Sequence, residues 1–195
     1  MDYFEVFGLP RRLAIDADGL QQRFYELSRR YHPDFHHAAA PAEQAKALEA
    51  SALVNAAYRA LRDPVSRAEY LVLLEEGRAT KEGAAVKPKA PPELLEEMFE
   101  IQEALGEVKA GGLDEGARAT LVAQRERLTE RYRAEERRLT GPLVEAWDSA
   151  AADKGTVLEA IKQMLATRAY LRTVIDDLSA ALGESDESYA SHRRH

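Results

Sequence analysis

The sequence predicts an all-α protein in which two helical regions are joined by a linker. Apolar residues recur every three or four positions in successive segments, which is the spacing of one face of a helix. No segment alternates apolar and polar residues in the manner of a strand, and no internal repeat is evident. Glycine and proline cluster between the two regions, where they interrupt helices. The 195 residues leave room for one or two small domains with a core.

The first long helix is predicted to begin after Asp16, whose short carboxylate side chain suits an N-cap. Four apolar residues of this segment share one face at helical spacing: Leu20, Phe24, Leu27 and Tyr31. Pro33 disfavours helical geometry at His32 and lacks an amide hydrogen, so the helix should end at about Tyr31 or His32. The residues that follow are therefore expected on an exposed loop.

A second helix is predicted to begin after Pro41. Its buried face is a narrow stripe of small apolar residues: Ala47, Ala50, Val54, Ala57 and Leu61. Small residues let two helices approach closely, so we expect the two helices to pack antiparallel on either side of the loop. Asp63 and Pro64 then end this helix and begin a shorter one. The shorter helix carries the apolar residues Ala68, Leu71, Val72 and Leu74.

Glycine and proline residues, which interrupt helices, predict the domain boundaries of the chain. The predicted boundaries are a first domain over 1–76, a linker over 77–91, a helical bundle over 92–183 and a flexible tail over 184–195. Within the bundle, helices are expected over about 92–109, over 113–140 and in a segment that reaches Leu182. Gly141 and Pro142 either kink the second of these helices or begin a new one, and the sequence leaves both possibilities open.

The loop between the first two long helices holds the tripeptide His32, Pro33 and Asp34. A proline between an imidazole and a carboxylate stiffens the turn, which lowers the entropy lost when the polar groups engage a partner. Two further stretches follow in the expected order: Asn55 to Pro64, then Arg67, Ala68, Glu69 and Tyr70. Together these features resemble the J domain of DnaJ-type proteins, whose hallmark is His-Pro-Asp between the second and third helices. The resemblance covers roughly residues 1–76.

The first ten residues, MDYFEVFGLP, narrow the resemblance to one class of J-domain protein. The chain also lacks the Gly/Phe-rich and zinc-finger regions of other J proteins. It is similar in these respects to the HscB type, which serves iron-sulfur cluster assembly. The resemblance implies a J domain, as a helical hairpin with short flanking helices, joined to a C-terminal three-helix bundle. It also implies a co-chaperone, which regulates a partner and is not itself an enzyme.

In this family the tripeptide and the basic face of the preceding helix contact a DnaK/HscA-class heat-shock protein 70 and accelerate its ATP hydrolysis. The resemblance therefore implies a chaperone-binding set in this chain: His32, Pro33, Asp34, Arg23, Arg29 and Arg30. Electrostatic pairing with an acidic partner would mainly raise the association rate. Alternatively, any one of these arginines serves only solubility.

The first helix after the linker is strongly acidic, with six glutamates and no basic residue between positions 93 and 107. It also holds more apolar residues than one face needs. In HscB-type proteins this helix, with an aromatic residue of the last helix, binds the IscU-type iron-sulfur scaffold protein. The carried-over scaffold-binding set is Leu95, Glu96, Phe99, Glu100, Glu103, Glu107 and Tyr170. Glu96 departs from the family pattern, because an apolar residue is usual at that position. Phe99 departs from it too, because a Leu or Met is usual there.

Two other interpretations of the acidic helix stay open. It could be a solvated face opposite a bundle core, or its apolar residues between 94 and 105 could pair with another copy of the chain. A J-domain adaptor for a different client is the corresponding alternative function. We expect a monomer or a weak homo-oligomer.

The composition of the chain argues against several other classes of function. The formal net charge of −7 argues against a nucleic-acid partner. The absence of cysteine excludes disulfides, thiol nucleophiles and thiolate-bound metal, and no cofactor is expected. No membrane span or signal peptide is evident, so a cytoplasmic protein is expected. A metal site formed by Asp34, His36 and His37 is disfavoured because neighbouring loop residues rarely converge on one metal. A hydrolase centred on His32 and Asp34 is disfavoured because a protruding loop between two helices does not favour a pocket.

Overall fold

The computed structural model describes residues 1–36, 39–77, 92–149 and 153–183, where every regular element is helical. The α-helices are α1 Tyr3–Val6, α2 Ala17–Arg30, α3 Pro41–Arg62, α4 Pro64–Glu75, α5 Pro92–Gly111, α6 Glu115–Arg138, α7 Val144–Asp148 and α8 Lys154–Ala181. A short 3₁₀ turn spans Pro33–Phe35, and a π-helical turn spans Leu139–Leu143. The predicted all-α class is confirmed. Most of the predicted linker and all of the predicted tail lie outside the described residues.

The chain divides into two compact units. The first unit is Met1–Val86 with Leu139–Lys162, and the second is Lys87–Arg138 with Gln163–His195. Residues 139–162, which the sequence assigned to the C-terminal bundle, are thus part of the first compact unit. The helix α8 contributes its first residues to one unit and the rest to the other.

An aspartate caps the start of α1, of α2 and of α4 in the N-terminal region. Asp2 forms a capping box with Glu5 at the start of α1. Asp16 caps α2 as predicted, with its carboxylate accepting from the amide of Asp18 at 3.2 Å. Asp63 caps α4 by accepting from the amide of Ser66 at 2.8 Å, and Pro64 occupies the first helical position. The caps at Asp16 and Asp63 fix the starts of α2 and α4 where the sequence predicts them.

Helices α2 and α3 pack against each other in the first unit through their apolar faces. The rings of Phe24 and Tyr58 stack with centroids 4.0 Å apart. The buried residues of this unit include Phe4, Phe7, Leu13, Leu20, Ala47, Val54, Ala57, Leu61, Ala68, Leu71 and Trp147. Most of the stripe predicted on α3 is therefore buried, and the small side chains in it allow close packing.

Two buried or half-buried charged side chains tie distant backbone segments of the first unit together. The guanidinium of Arg67 donates to the carbonyl oxygens of Leu61, at 2.7 Å, and of Leu13. Burial lowers the pKa of this guanidinium from its ordinary value. The carboxylate of Asp148 accepts from the amides of Leu13 and Ala14 at 2.9 and 2.8 Å. The segment that leads into α2 is thus held by α4 and α7.

The core of the second unit is formed by α5, α6 and the C-terminal part of α8. Its buried members are Ile101, Leu105, Leu121, Leu128, Leu171, Val174, Ile175, Leu178 and Leu182. Gly141 and Pro142 fall within the π-helical turn, which follows α6 directly and leads into α7. The added residue of a π turn lets the chain pass the proline without a break in helical structure.

Candidate functional site

The tripeptide on the loop after α2 forms one compact turn. His32 is the N-cap of the 3₁₀ turn, and its Nδ1 accepts from the amide of Asp34 at 3.3 Å. The backbone of His32 is extended, as the residue before a proline prefers. Because Nδ1 is an acceptor here, the neutral imidazole carries its proton on Nε2. The turn therefore offers an N–H donor and a carboxylate from neighbouring positions.

The turn is exposed and yet firmly attached to α2. The side chains of His32 and Asp34 are 53% and 86% exposed, and Nδ1 lies 3.7 Å from Oδ2 of Asp34. His36 anchors the far end of the turn, since its Nε2 donates to the carbonyl oxygen of Arg30 at 2.9 Å. Its amide also donates to the carbonyl oxygen of Pro33 at 2.9 Å. Both ends of the turn are thus fixed, which suits a preorganised docking element.

The three arginines predicted on α2 differ in what they contact. Arg29 and Arg30 are exposed in the last turn of the helix, and neither forms an ion pair within the described part of the chain. The guanidinium of Arg23 instead donates to the carbonyl oxygens of Phe7 and, at 3.3 Å, Gly8. Arg29 and Arg30 therefore supply most of the available positive charge next to the turn.

Helix α5 has a buried apolar side and a separate exposed apolar side. Leu94 and Ile101 are buried in the second unit. Leu95 and Phe99 lie on a different side of the helix and remain 41% and 73% exposed. Residues four apart share a face, so Leu95 and Phe99 form one apolar patch on the surface.

An acidic row runs along α5 beside this patch. Its members, all exposed, are Glu96, Glu100, Glu103 and Glu107. Glu97, by contrast, is part of the fold, since its carboxylate pairs with Arg127 at 2.8 Å and Arg131 at 3.0 Å. Glu97 is therefore not counted in the acidic row. The acidic row and the apolar patch of Leu95 and Phe99 together make one side of α5 amphipathic. We call the apolar patch and the acidic row together the α5 surface.

Tyr170 lies on α8 and packs against the core of the second unit. Its hydroxyl is buried and has no hydrogen-bond partner within the residues described. Burial raises the pKa of the hydroxyl, and the negative charges of Glu97 and Asp177 raise it further. Tyr170 packs against the cluster to which Ile101 and Leu105 of α5 belong. Its ring is half-buried, whereas Phe99 is largely exposed.

The metal site and the membrane span raised in the sequence analysis can be compared with the described residues. His37, one of the three residues of the metal hypothesis, lies outside them. Among the residues that are described, no group of three or more His, Cys, Asp or Glu side chains is arranged to hold a metal ion. No helix in the described ranges has both the length and the apolar character needed to cross a membrane.

Two aromatic residues near the turn were not among the sequence-based candidates. Tyr25 is 57% exposed and Phe35 is 69% exposed. Tyr25 follows Phe24 of the buried face, so helical periodicity places it off that face. Phe35 directly follows the tripeptide on the predicted loop. Tyr25 could have been identified from the sequence, because an aromatic residue outside the apolar face of an amphipathic helix indicates an exposed aromatic ring.

Comparisons with known proteins agree with these features. The DnaJ domain family matches residues 2–70, which include α1 to α3 and the tripeptide. The structure of chaperone HscB from Vibrio cholerae is similar, with a TM-score of 0.65 and 29% sequence identity, covering 93% of this chain and 99% of that one. The human co-chaperone protein HscB has the same fold, with a TM-score of 0.63 and 24% identity over 92% of this chain and 81% of that one.

The likeness to the HscB structures extends over both units, and the family match is confined to the first. The order of elements is that expected for the family: a helical pair around an exposed His-Pro-Asp turn, followed by further helices. Residues 2–70 thus match the DnaJ domain family, and over most of its length the chain is similar to solved structures of HscB.

Proposed function

We propose that this protein stimulates the ATPase of a DnaK/HscA-class heat-shock protein 70 and delivers an IscU-type iron-sulfur scaffold to it. The protein acts as a regulator and carries out no chemical step of its own. One unit docks on the chaperone and the other holds the client. Joining both partners on one chain raises the effective concentration of the client at the chaperone.

The docking half of the proposal depends on the tripeptide turn. His32 and Asp34 are exposed on a turn fixed by His36, so they can bind a partner with little loss of conformational entropy. Arg29 and Arg30 lie beside the turn and favour a partner with acidic residues. Arg23 also belongs to this surface, although its hydrogen bonds to the carbonyl oxygens of Phe7 and Gly8, just after α1, give it a structural role too.

The exposure of Leu95 and Phe99 on α5 is the observation that supports the proposed binding of the client scaffold. Exposed apolar patches on folded domains mark sites of protein association more often than single scattered residues do. The acidic row selects a partner with basic groups around an apolar contact. The proposed scaffold-binding residues are those of the α5 surface, with Tyr170 supporting it from α8.

Self-association through the α5 surface is the second candidate. A symmetric dimer would place the same surface on both copies, so the acidic rows would face each other. Like charges across an interface oppose association, which favours a different and basic partner over a second copy. Sedimentation of the purified protein at increasing concentration tests this point, because self-association predicts a mass that rises with concentration.

Calorimetric titration into an IscU-type scaffold tests the client half directly. We expect saturable binding by the wild-type protein. The Leu95→Ala/Phe99→Ala variant should bind at least tenfold more weakly, because truncating an aromatic or apolar anchor typically costs about 1–4 kcal/mol. Since both side chains are substantially exposed, the variant should fold normally.

A matched control is Tyr25→Ala/Phe35→Ala, which removes two exposed apolar side chains from the first unit. This variant should bind the scaffold as the wild type does. Equal affinity for wild type and Leu95→Ala/Phe99→Ala would contradict the proposed site. No binding by folded wild-type protein, with apo and cluster-loaded scaffold both tried, would contradict the proposed client.

A further inference from the structure

A shallow open groove lies beside the tripeptide turn, on the surface of α2. Its lining consists of Tyr25, Glu26, Arg29, Arg30, Phe35 and His36. The two aromatic rings are more than half exposed, and the fold buries neither of them. The groove therefore combines exposed aromatic surface with two arginines and one glutamate, and aromatic and arginine residues are enriched in protein interfaces.

Tyr25 and Phe35 are both hydrogen-bonded to neighbouring residues before any partner binds, Tyr25 through its hydroxyl and Phe35 through its backbone. The hydroxyl of Tyr25 accepts from Nε2 of Gln21 at 3.2 Å. The amide of Phe35 donates to the carbonyl oxygen of His32 at 3.0 Å, inside the 3₁₀ turn. A side chain whose backbone is fixed loses less entropy on binding than one on a loose loop. Phe35 and Tyr25 are thus prepared as contact residues.

The groove is continuous with the tripeptide. The ring of Phe35 meets the ring of His32 edge-on, with centroids 6.0 Å apart and an interplanar angle of 70°. His36, which lines the groove, also anchors the turn to α2. The ring of Phe35 is therefore within reach of a partner that contacts the imidazole of His32.

We propose that Tyr25 and Phe35 form an apolar anchor that determines how tightly this co-chaperone binds its heat-shock protein 70. The anchor takes up an apolar side chain from a segment of the chaperone that also carries acidic residues, which pair with Arg29 and Arg30. This inference rests on the proposed docking function of the tripeptide. It adds a specificity surface that the tripeptide and the arginines alone do not supply.

The two components of the groove have different effects on binding. Exposed arginines act over a long range and mainly raise the association rate, an effect that salt screens. Buried aromatic contacts mainly slow dissociation, and they depend little on salt. The contribution of Tyr25 and Phe35 is therefore distinguishable from that of the arginines by ionic strength.

The test measures the steady-state ATPase rate of the DnaK/HscA-class chaperone as this protein is titrated. The full-length variant Tyr25→Ser/Phe35→Ser should raise the half-maximal concentration by roughly tenfold or more, as expected for loss of an interface anchor. That factor should be similar at low and high salt. The variant Arg29→Gln/Arg30→Gln should instead show an effect that diminishes as salt increases.

Two controls separate the anchor from general surface effects. Leu48→Ser removes another large exposed apolar side chain of the first unit, 61% exposed and outside the groove, and should leave the half-maximal concentration unchanged. Scaffold binding by Tyr25→Ser/Phe35→Ser, measured by calorimetry, should equal that of the wild type. Its far-UV circular dichroism should also match.

The failures of the two proposals are distinguishable. If His32→Gln loses stimulation while Tyr25→Ser/Phe35→Ser gives the wild-type curve, the docking function stands and the anchor is overturned. An equal shift in Leu48→Ser would likewise overturn the anchor, because the effect would not be specific to the groove. If wild-type protein gives no stimulation, or His32→Gln stimulates fully, the docking function fails and the anchor fails with it.

Discussion

The carboxylate of Asp148 accepts a hydrogen bond at 2.9 Å from the backbone amide of Leu13, 135 residues earlier in the chain. The carbonyl oxygen of the same Leu13 accepts from Arg67. Leu13 is thus bound on both sides of its backbone, and its side chain is 2% exposed. This segment leads directly to Asp16, the N-cap of α2. The position of α2 therefore depends on Asp148, which lies outside the region that matches the DnaJ domain family.

Asp148→Ala should destabilise the first unit by about 1–3 kcal/mol, because the partly buried amide of Leu13 and the exposed amide of Ala14 lose their acceptor. Urea unfolding followed by tryptophan fluorescence measures this effect. Trp147 is the only tryptophan and belongs to the first unit, so its emission reports on that unit. The control Glu145→Ala, an exposed position on the same short helix, should change the stability by no more than about 0.5 kcal/mol. Equal unfolding midpoints for Asp148→Ala and Glu145→Ala would contradict the role of Asp148.

Gly106→Ala should stabilise the second unit by about 0.5–1 kcal/mol, since glycine in a helix interior is unfavourable relative to alanine. Gly106 lies within α5, and a Cβ there would meet no atom within 4 Å. Gly8→Ala should have the opposite effect on the first unit, because Gly8 has a φ of 61°. Thermal unfolding followed by far-UV circular dichroism checks both. A lower melting temperature for Gly106→Ala would contradict the prediction, because it would mean that the added methyl group clashes with a neighbouring atom.

Acid should weaken the start of α1 through Asp2. Burial alone would raise the pKa of this carboxyl, but hydrogen bonds from the amide of Glu5 and from Arg11, with the charge of Arg11, lower it below its ordinary value. The unfolded chain therefore takes up the proton first. The stabilisation is complete above about pH 4 and is lost as the pH falls through the lower folded-state pKa.

The variant Asp2→Asn measures this contribution. At neutral pH it should unfold at a lower urea concentration than the wild type, because it loses the ion pair with Arg11 at 2.7 Å. The difference between the two proteins should shrink as the pH is lowered below about 4. A difference that stays constant down to about pH 3 would mean that Asp2 is not charged differently in the two states.

His32→Gln should abolish stimulation of the chaperone ATPase without loss of helicity. The side chain is 53% exposed and its main internal contact is the amide of Asp34, so the fold does not depend on it. The substitution removes the aromatic N–H donor that the turn presents. ATPase rates and far-UV circular dichroism on the same samples check the prediction. Full stimulation by a variant of wild-type helicity would remove His32 from the docking surface.

Local features of the sequence were sufficient to predict the helical hairpin and the turn. Helical spacing of apolar residues, Asp16, Asp63 and the prolines act over a few residues, and the structure bears out the elements that they define. The exposure of Leu95 and Phe99 agrees with the resemblance-based prediction for α5, whereas binding by that helix stays a prediction.

Other features depend on contacts that the sequence does not reveal. A single aspartate such as Asp148 carries no sign of a partner 135 residues away. The outcome at Gly141 and Pro142 depends on tertiary packing, since Leu139 at the start of the π turn is fully buried. The division of roles between Glu97, paired with two arginines, and the exposed glutamates also requires knowledge of which helices are neighbours.

The proposed coupling of chaperone and client on one chain is tested by the ATPase rate of the DnaK/HscA-class chaperone with this protein and an IscU-type scaffold present together. We predict that the wild-type protein stimulates hydrolysis alone and that the scaffold increases the stimulation further, because one chain brings both partners together. Leu95→Ala/Phe99→Ala should stimulate as the wild type does without scaffold and should lose the increase that the scaffold gives. A rate that the scaffold leaves unchanged in the wild type, at concentrations that saturate binding, would contradict the account.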